Sequence, residues 1–137
     1  MIAQAKARLA AGRISFLLAD LTGLWPCAAG FADLIVRNLV LEHVADLPFI
    51  FAEASRALKG RGRFLISELH PFRQYQGKRA AFQQAGARVE VPAFAHHLSD
   101  FLDAAEQARF TLTSLKEWWH EEDRGQPPRL VSLMFEK

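Results

Sequence analysis

Apolar residues along this chain alternate between short continuous runs and stretches in which they recur every three or four positions. Leu34 to Val36 is such a run after Asp33, which is typical of a strand buried on both faces. After Asp46 the apolar residues fall on one helical face, and Arg63 to Leu69 is again an apolar run. We therefore predict a strand, a crossover helix and a second, parallel strand as the centre of the chain.

Both ends of the predicted crossover helix carry recognisable signals. Asp46 is placed to accept hydrogen bonds from the free amides of the first turn, where Pro48 is tolerated. Glycine adopts the left-handed geometry that closes a helix. We therefore expect this helix to end at Gly60 or Gly62.

Two elements are predicted before this central unit. Ile2, Ala5 and Leu9 recur at helical spacing, so the chain is expected to begin inside a helix. Ile14 to Asp20 is an apolar run that ends in an acid, and it predicts a further strand. The pattern of alternating helices and strands therefore extends to the first residues of the chain.

The pattern is weaker after the central unit. Phe72 to Ala85 is polar and rich in glutamine, which allows a short helix or a mobile cover. Residues 88–91 alternate in polarity before Pro92, and this indicates a short exposed strand at an edge. Ser99 is placed to cap a later helix, whose apolar positions include Leu102.

Two strands are predicted near the end of the chain. Phe110 to Leu115 alternates and runs toward Trp118, and Leu130 to Phe135 is a final apolar run. The charged and proline-containing stretch between them makes a turn, so these two strands should be antiparallel. We predict an α/β fold with a mostly parallel sheet and an antiparallel last strand.

Composition and charge narrow the class of protein. The 137 residues, half of them hydrophobic and 23% charged, are long enough for one compact domain and too short for two. The net charge of +2 is spread among acids, so we expect no nucleic-acid partner, and the basic residues from Arg73 to Arg88 are predicted to be solvated. No apolar run approaches a membrane span of about 20 residues. Cys27 is alone, which excludes an internal disulfide and fits the cytoplasm.

Several motifs of the central unit resemble the middle of a class I S-adenosylmethionine-dependent methyltransferase, from the branch that acts on small molecules. They are Asp33-Leu34-Ile35-Val36, Leu41-Glu42-His43-Val44, Glu53 with Arg56-Ala57-Leu58-Lys59, and Ile66-Ser67-Glu68 before His70-Pro71. The resemblance implies a Rossmann-like sheet, S-adenosylmethionine as cofactor and a small molecule as methyl acceptor.

The resemblance also implies cofactor-binding residues at the ends of two strands. Asp20 would accept a hydrogen bond from the amino group of adenine, and Leu21 would pack near the ring. Asn38 and Leu39 would line the cofactor. The residues alone leave alternatives open, because an aspartate can cap a loop and an asparagine is an ordinary turn former.

Two histidines are the catalytic candidates. His70 ends a strand and could hold or deprotonate a substrate, since histidine has an ordinary pKa of about 6.5. His43 could touch substrate or cofactor. Glu42 beside it suggests a metal pair, but Leu39 replaces the first acid of the Glu-x-x-Glu-His pattern in quinone-directed relatives, so we predict no metal. A turn at His70 and a structural hydrogen bond at His43 are the alternatives, and His96-His97 is predicted to be a surface pair.

The family binds the methionine part of the cofactor with a glycine-rich loop after its first strand, and no Gly-x-Gly follows an apolar strand here. Gly60 and Gly62 follow a helix instead. We expect that Met1 aligns inside the helix after the family's second strand. Residues 1–137 would then be a single, truncated methyltransferase-like domain whose activity on its own is in question.

This alignment has a consequence for the sheet. In the family's strand order 3-2-1-4-5-7-6, the predicted strand Ile14 to Asp20 would lack both neighbours, and Asp33 to Asn38 would expose an edge. Unpaired apolar edges invite pairing with another chain. We expect either a homodimer through these edges or a rearranged first strand. The alternative function is a non-catalytic interaction module, as a homodimer or as an accessory subunit of a complete methyltransferase.

Overall fold

The computed structural model describes residues 14–76, 81–84, 87–90, 93–123 and 125–137. In chain order its strands and helices are β1 (Ala32–Asn38), α1 (Leu47–Ala57), β2 (Leu58–Leu69), α2 (Pro71–Tyr75), β3 (Ala81–Gln84), β4 (Ala87–Glu90), α3 (Leu98–Gln107), β5 (Thr111–Trp118) and β6 (Leu130–Glu136). Short 3-10 turns lie at Leu41–His43 and Glu121–Asp123.

Four strands form the main sheet, in the order β1-β2-β6-β5. The pair β1 and β2 is parallel, whereas β6 runs antiparallel to both β2 and β5. The predicted unit of strand, crossover helix and parallel strand is therefore confirmed, as is the antiparallel end of the sheet. The strands β3 and β4 form a separate antiparallel pair. The sheet is mixed, and its parallel pairing lies between β1 and β2.

Helix α1 begins where the sequence predicts, but it ends before the predicted residues. The Asp46 carboxylate accepts a hydrogen bond from the Phe49 amide at 3.0 Å, and proline occupies the first turn. The predicted end at Gly60 or Gly62 is wrong, because the backbone is already extended at Leu58. Strand pairing with β1 begins at that residue, so the chain enters β2 before it reaches either glycine.

The core lies between the helices and one face of the sheet. The fully buried Phe51 ring of α1 contacts three other phenylalanine rings edge-on or nearly so, with centroid distances of 5.2 Å to Phe64, 5.4 Å to Phe135 and 6.0 Å to Phe110. Aromatic rings prefer such edge-to-face contacts. This cluster joins α1 to β2, β6 and the start of β5. No helix in the described part of the chain is long and apolar enough to cross a membrane.

The predicted strand from Ile14 to Asp20 is not observed. The segment has no regular secondary structure, and the side chains of Leu17 and Leu18 are exposed. A strand requires a hydrogen-bonded neighbour, and none of the described strands pairs with this segment. The helix predicted from Ile2, Ala5 and Leu9 lies outside the described residues.

One of three further predictions is wrong, and the other two are confirmed in part. Helix α3 begins at Leu98, and its cap is His97 rather than Ser99, since the His97 amide donates to the Asp100 carboxylate at 2.7 Å. The stretch Phe72 to Ala85 contains the short helix α2, but also the strand β3. The predicted edge strand at residues 88–91 is β4, which pairs with β3 outside the main sheet.

Arg73 contradicts the prediction that the basic residues from Arg73 to Arg88 are solvated. Its side chain is buried, and Nη2 lies 3.2 Å from the Asp123 carboxylate, which also accepts from Arg129 Nε at 2.8 Å. A buried guanidinium requires such a partner. The pair ties α2 to the loop between β5 and β6.

One edge and one face of the main sheet remain open. Strand β1 is an outer strand, and Leu34 and Val36 are 48% and 50% exposed on the face away from the helices. On the same face, Leu65 and Met134 continue the row that begins at Val36. Contiguous apolar surface of this kind marks an interaction site.

Replacing Phe51 with alanine tests the placement of the core. We expect Phe51→Ala to lower the free energy of unfolding by about 3–5 kcal/mol, because it leaves a cavity among three rings. Denaturant unfolding followed by circular dichroism measures this change. Leu102→Ala, on the exposed side of α3, is the control and should change the free energy by no more than about 0.5 kcal/mol. Equal losses in the two variants would contradict the assigned core.

Candidate functional site

The carboxyl ends of β1 and β2 lie side by side. Asn38 pairs in register with Ser67, and the Leu39 amide continues the ladder by donating to the Ser67 carbonyl at 2.9 Å. In open α/β sheets, ligands bind beyond the carboxyl ends of parallel strands. The site predicted from the sequence therefore lies where Asn38, Leu39 and the end of β2 meet.

Leu39 has an unusual backbone conformation at this point. Its φ angle is +52°, in the left-handed region that branched and bulky residues seldom adopt. Its side chain is exposed, as is that of Asn38. Strained residues concentrate at functional sites, where the surrounding structure holds them in place. The conformation of Leu39 marks this turn as a candidate ligand contact.

Glu68 holds the turn in this shape. Its Oε1 atom accepts hydrogen bonds from the amides of Val40 at 3.1 Å and Leu41 at 3.0 Å. These amides lead into the 3-10 turn at Leu41–His43, and a carboxylate satisfies them well. Glu68 was not among the site residues predicted from the sequence. Its position just before His70-Pro71 was the available signal.

The second oxygen of Glu68 is in a different situation. Within the described part of the chain, no hydrogen-bond donor reaches Oε2, and the residue is 3% exposed. Burial raises the pKa of the Glu68 carboxyl, and the nearby Glu42 carboxylate raises it further, although the backbone amides act in the opposite direction.

Asp20 lies in a tight turn on the exposed surface. Its Oδ1 atom accepts hydrogen bonds from the Thr22 amide at 2.8 Å and from the Thr22 hydroxyl at 2.7 Å. These two bonds hold the pKa of the Asp20 carboxyl below its ordinary value. Asp20 therefore caps its own loop, which was one of the two alternatives for this residue. Its carboxylate is also ionised and exposed to solvent, as a hydrogen bond from the amino group of adenine requires.

Leu21 is connected to the end of β1 through Trp25. The Leu21 carbonyl accepts a hydrogen bond from Trp25 Nε1 at 3.1 Å, and the Trp25 ring lies 4.3 Å from the guanidinium carbon of Arg37. Arg37 precedes Asn38 in β1, so this cation–π contact packs the loop after Asp20 against β1, on the face opposite to the Asn38 side chain. Burial lowers the pKa of Arg37, and its Nε atom has no partner among the described residues.

Neither Trp25 nor Arg37 was a candidate in the sequence analysis. The signal for Arg37 was a charged residue at the end of an apolar strand run. Such a side chain needs either solvent or a specific neighbour, and a tryptophan is a suitable one. The position of that tryptophan in a distant loop could not be read from local periodicity.

Helix α1 anchors the same loop. Glu53 Oε2 accepts a hydrogen bond from the Trp25 amide at 2.8 Å, while Glu53 Oε1 accepts from Arg56 Nε at 2.8 Å. Arg56 in turn donates to the Cys27 carbonyl at 2.9 Å. The hydrogen bond from Arg56 is the main reason that the pKa of Glu53 is lowered. The loop that carries Leu21 is therefore fixed by a partly buried ion pair.

His70 is buried and uses both ring nitrogens. Nδ1 accepts a hydrogen bond from the Phe72 amide at 3.2 Å, so the hydrogen of the neutral ring lies on Nε2, which is 3.0 Å from Glu117 Oε1. The ring thus caps α2 and joins it to β5. A catalytic role requires the ring to give up one of these bonds, and that role stays a prediction.

His43 lies at the exposed end of the 3-10 turn. Its Nε2 atom is 3.7 Å from Glu42 Oε1, and Glu42 is buried. Its exposure next to the strained turn keeps His43 as a candidate for contact with a ligand. Within the described ranges, no group of three or more histidine, cysteine, aspartate or glutamate side chains could hold a metal ion.

An aromatic rim borders the site, formed by Phe72, Tyr75, Phe94, His96 and His97. The Tyr75 and His97 rings lie 5.4 Å apart and share a short hydrogen bond. The Phe94 amide donates to the Glu42 carbonyl at 2.7 Å, which places this loop against the 3-10 turn. Phe72, Tyr75 and Phe94 are each about half exposed. His96 and His97 were predicted to be a surface pair. The contact between His97 and Tyr75 of α2 was not part of that prediction.

The anchor between α1 and the Trp25 loop predicts a pH dependence. Because its pKa is depressed in the folded state, Glu53 contributes stability that is present above its ordinary pKa of 4.5 and is lost as pH falls toward the depressed value. We expect Arg56→Gln to weaken this acid-linked loss and to lower stability at neutral pH. Denaturant unfolding measured at neutral pH and at several values below 4.5 gives both quantities. Asp33→Asn, at an exposed position, is the control, and parallel pH profiles for Arg56→Gln and wild type would contradict the anchor.

The comparisons with known proteins bear on the fold. Residues 1–66 match a family model described as a methyltransferase domain. No curated protein matches the sequence. Among solved structures, an S-adenosylmethionine-dependent methyltransferase from Mesorhizobium loti is 18% identical and superposes with a TM-score of 0.81 over 100% of this chain and 76% of its own.

Two further solved structures show the same likeness. A methyltransferase from Methanosarcina mazei is 16% identical, with a TM-score of 0.72 over 99% of this chain and 76% of its own. A chain from the complex between the Haloferax volcanii Trm112 methyltransferase activator and a methyltransferase is 12% identical, with a TM-score of 0.73 over 99% and 67%. At identities this low, the structural likeness shows the fold alone. The chain therefore has the fold of the class I S-adenosylmethionine-dependent methyltransferases, and its first 66 residues match a methyltransferase domain.

Proposed function

We propose that the protein is an S-adenosylmethionine-dependent methyltransferase-like protein with a small-molecule acceptor. The observation that carries the proposal is the strained turn at Leu39, which Glu68 holds open at the paired carboxyl ends of β1 and β2. In this fold that edge of the sheet is where a ligand binds.

The described residues fit the adenine side of the cofactor. An ionised carboxylate at Asp20 can accept a hydrogen bond from an exocyclic amine, and the neighbouring Leu21 offers an apolar contact for a ring. Asn38 and Leu39 are exposed at the other side of the same edge. Trp25 fixes the loop of Asp20 and Leu21 against β1, the strand that ends at Asn38.

The described residues fit the methionine side less well. No glycine among them follows the carboxyl end of β1 or β2, and Gly60 and Gly62 lie inside β2. A cofactor tail needs backbone that a ligand can approach closely, which is the use of glycine in such loops. We propose that binding by this chain rests mainly on the adenine side, and that its activity on its own is limited by the absence of this loop.

The acceptor would bind between the cofactor edge and the aromatic rim. The sulfonium cofactor supplies an activated methyl group, so the protein mainly has to place the nucleophile. The half-exposed rings of Phe72, Tyr75 and Phe94 offer an apolar surface for a small molecule. His43 is exposed beside this surface and could orient the acceptor, and His70 lies at the start of α2.

A reducing cytoplasm suits Cys27, which is a free thiol.

Binding of S-adenosylhomocysteine tests the cofactor assignment. We expect calorimetric titration of the wild-type chain to give micromolar affinity, and Asp20→Ala to weaken it by about tenfold, the value of one hydrogen bond to a charged group. The matched control is Asp33→Ala, because Asp33 is an exposed aspartate at the other end of β1, where it pairs with Lys59. Absence of heat with the wild type, or equal weakening in both variants, would refute the assignment.

A second candidate function is that of a non-catalytic interaction module, as a homodimer or as an accessory subunit. The open edge of β1 favours it, since Leu34 and Val36 are about half exposed and the segment with Leu17 and Leu18 is exposed as well. Exposed strand edges of this kind pair readily with other chains. The Haloferax volcanii relative occurs in a complex with an activator protein, which also supports a protein partner.

The oligomeric state tests pairing between copies. If the edges of β1 pair, light scattering should give a mass of two chains, and Val36→Lys should shift it to one chain by placing a charge in the contact. Leu102→Lys introduces the same charge on the exposed side of α3 and should leave the dimer intact. A wild-type mass equal to one chain at high concentration would rule out the homodimer.

A further inference from the structure

A small cleft lies behind the strained turn, between the 3-10 turn, α2 and the loop before α3. Its lining residues are Glu42, Glu68, Leu69, Gln74, His96 and Phe101. The two carboxylates come from different elements, since Glu42 belongs to the 3-10 turn and Glu68 to the end of β2. The cleft therefore brings two acids together directly beneath the predicted cofactor edge.

These two acids are almost fully buried, with exposures of 6% for Glu42 and 3% for Glu68. Among the described residues, no lysine or arginine lines the cleft. Two ionised carboxylates in such a place repel each other and lose their hydration, which costs more than one of them keeping a proton. A proton on one of the two acids lowers both costs.

The other described groups that face the cleft do not supply a donor to Glu68 Oε2. His96 Nε2 lies 2.7 Å from the Val44 carbonyl and donates its hydrogen there. Gln74 Nε2 is 3.5 Å from Glu42 Oε2, at the limit of a hydrogen bond, and His43 Nε2 is 3.7 Å from Glu42 Oε1. Among the described residues, no donor reaches Glu68 Oε2, so neither His96 nor Gln74 supplies this donor.

We propose that Glu68 is the positioning residue of the cofactor-facing turn, and that it acts as a neutral carboxyl group whose proton is shared with Glu42. Oε1 remains an acceptor for the amides of Val40 and Leu41, whereas Oε2 carries the proton and donates it toward the Glu42 carboxylate. The arrangement leaves one negative charge in the cleft and gives each Glu68 oxygen a function.

Two independent features support this assignment. The pKa of Glu68 is raised by its burial and by the Glu42 carboxylate, so the protonated form is favoured. The left-handed φ of +52° at Leu39 requires a strong constraint on the following amides, and Glu68 supplies it. The role in cofactor binding rests on the proposed function, but the role in holding the turn does not.

The shared proton makes the turn sensitive to pH. As pH rises through the raised pKa of Glu68, both carboxylates become ionised and repel each other, so the turn should loosen. Glutamine at position 68 is isosteric with the neutral acid, because its oxygen can accept both amides and its NH2 can donate to Glu42. Glu68→Gln should therefore remove the pH dependence and preserve the turn.

Amide hydrogen exchange in the full-length chain tests the proposal without requiring activity. We expect the Val40 and Leu41 amides to remain protected in Glu68→Gln, and to lose protection by about tenfold or more in Glu68→Ala, where their acceptor is gone. In the wild type the protection of these amides should fall as pH rises through the raised pKa of Glu68, whereas in Glu68→Gln it should not, after correction for intrinsic exchange. Glu106→Gln and Glu106→Ala, at an exposed position of α3, are the controls.

The outcomes separate this inference from the proposed function. If Glu68→Gln loses protection as Glu68→Ala does, the turn needs the full negative charge and the neutral-acid proposal is wrong. If Glu68→Ala keeps protection at Val40 and Leu41, Glu68 does not position the turn. Should S-adenosylhomocysteine fail to bind the wild type, the proposed function fails while the exchange result still decides the role of Glu68. If S-adenosylhomocysteine does bind, we expect Glu68→Gln to keep the affinity and Glu68→Ala to lower it.

Discussion

Parallel pairing of β1 with β2 is the constraint on which the remainder of the site depends. Because Asn38 and Ser67 are in register, the two strands end at the same level of the sheet, and the chain that leaves β1 must turn across the end of β2. Glu68 can then reach the amides of that turn. A shift of one residue in this register would turn the Glu68 side chain to the opposite face of the sheet.

Buried charges fasten the loops around this strand pair. Glu53 and Arg56 hold the loop with Trp25, and Arg73 with Asp123 holds the loop between β5 and β6 against α2. Both networks sit at loops, where an apolar contact would leave backbone groups unpaired. Each therefore combines a charge pair with bonds to backbone atoms. The result is a set of fixed loops around an edge where one residue, Leu39, is strained.

The central unit could be predicted from the sequence because its signals are local. Asp46, Pro48 and the apolar face of α1 act within a few residues of each other, and the apolar run of β2 is continuous. The strand predicted at Ile14 to Asp20 failed because a strand depends on a partner that local periodicity does not reveal. Glu68 and Leu41 are 27 residues apart, and such a contact follows only from the register of β1 and β2. The adenine-side candidates needed the family resemblance as well.

The edge of β1 and the methionine side of the proposed cofactor site are connected by geometry. A strand that paired in parallel with the free edge of β1 would end next to Asn38 and Leu39, because parallel neighbours share the level of their carboxyl ends. The loop leaving such a strand would lie at the methionine side of the proposed site. A segment that paired with the edge of β1 could thus also supply the backbone that the cofactor tail requires. In the proposed function, the catalytic and interaction roles are therefore compatible, since a chain paired at β1 would lie next to the proposed cofactor site.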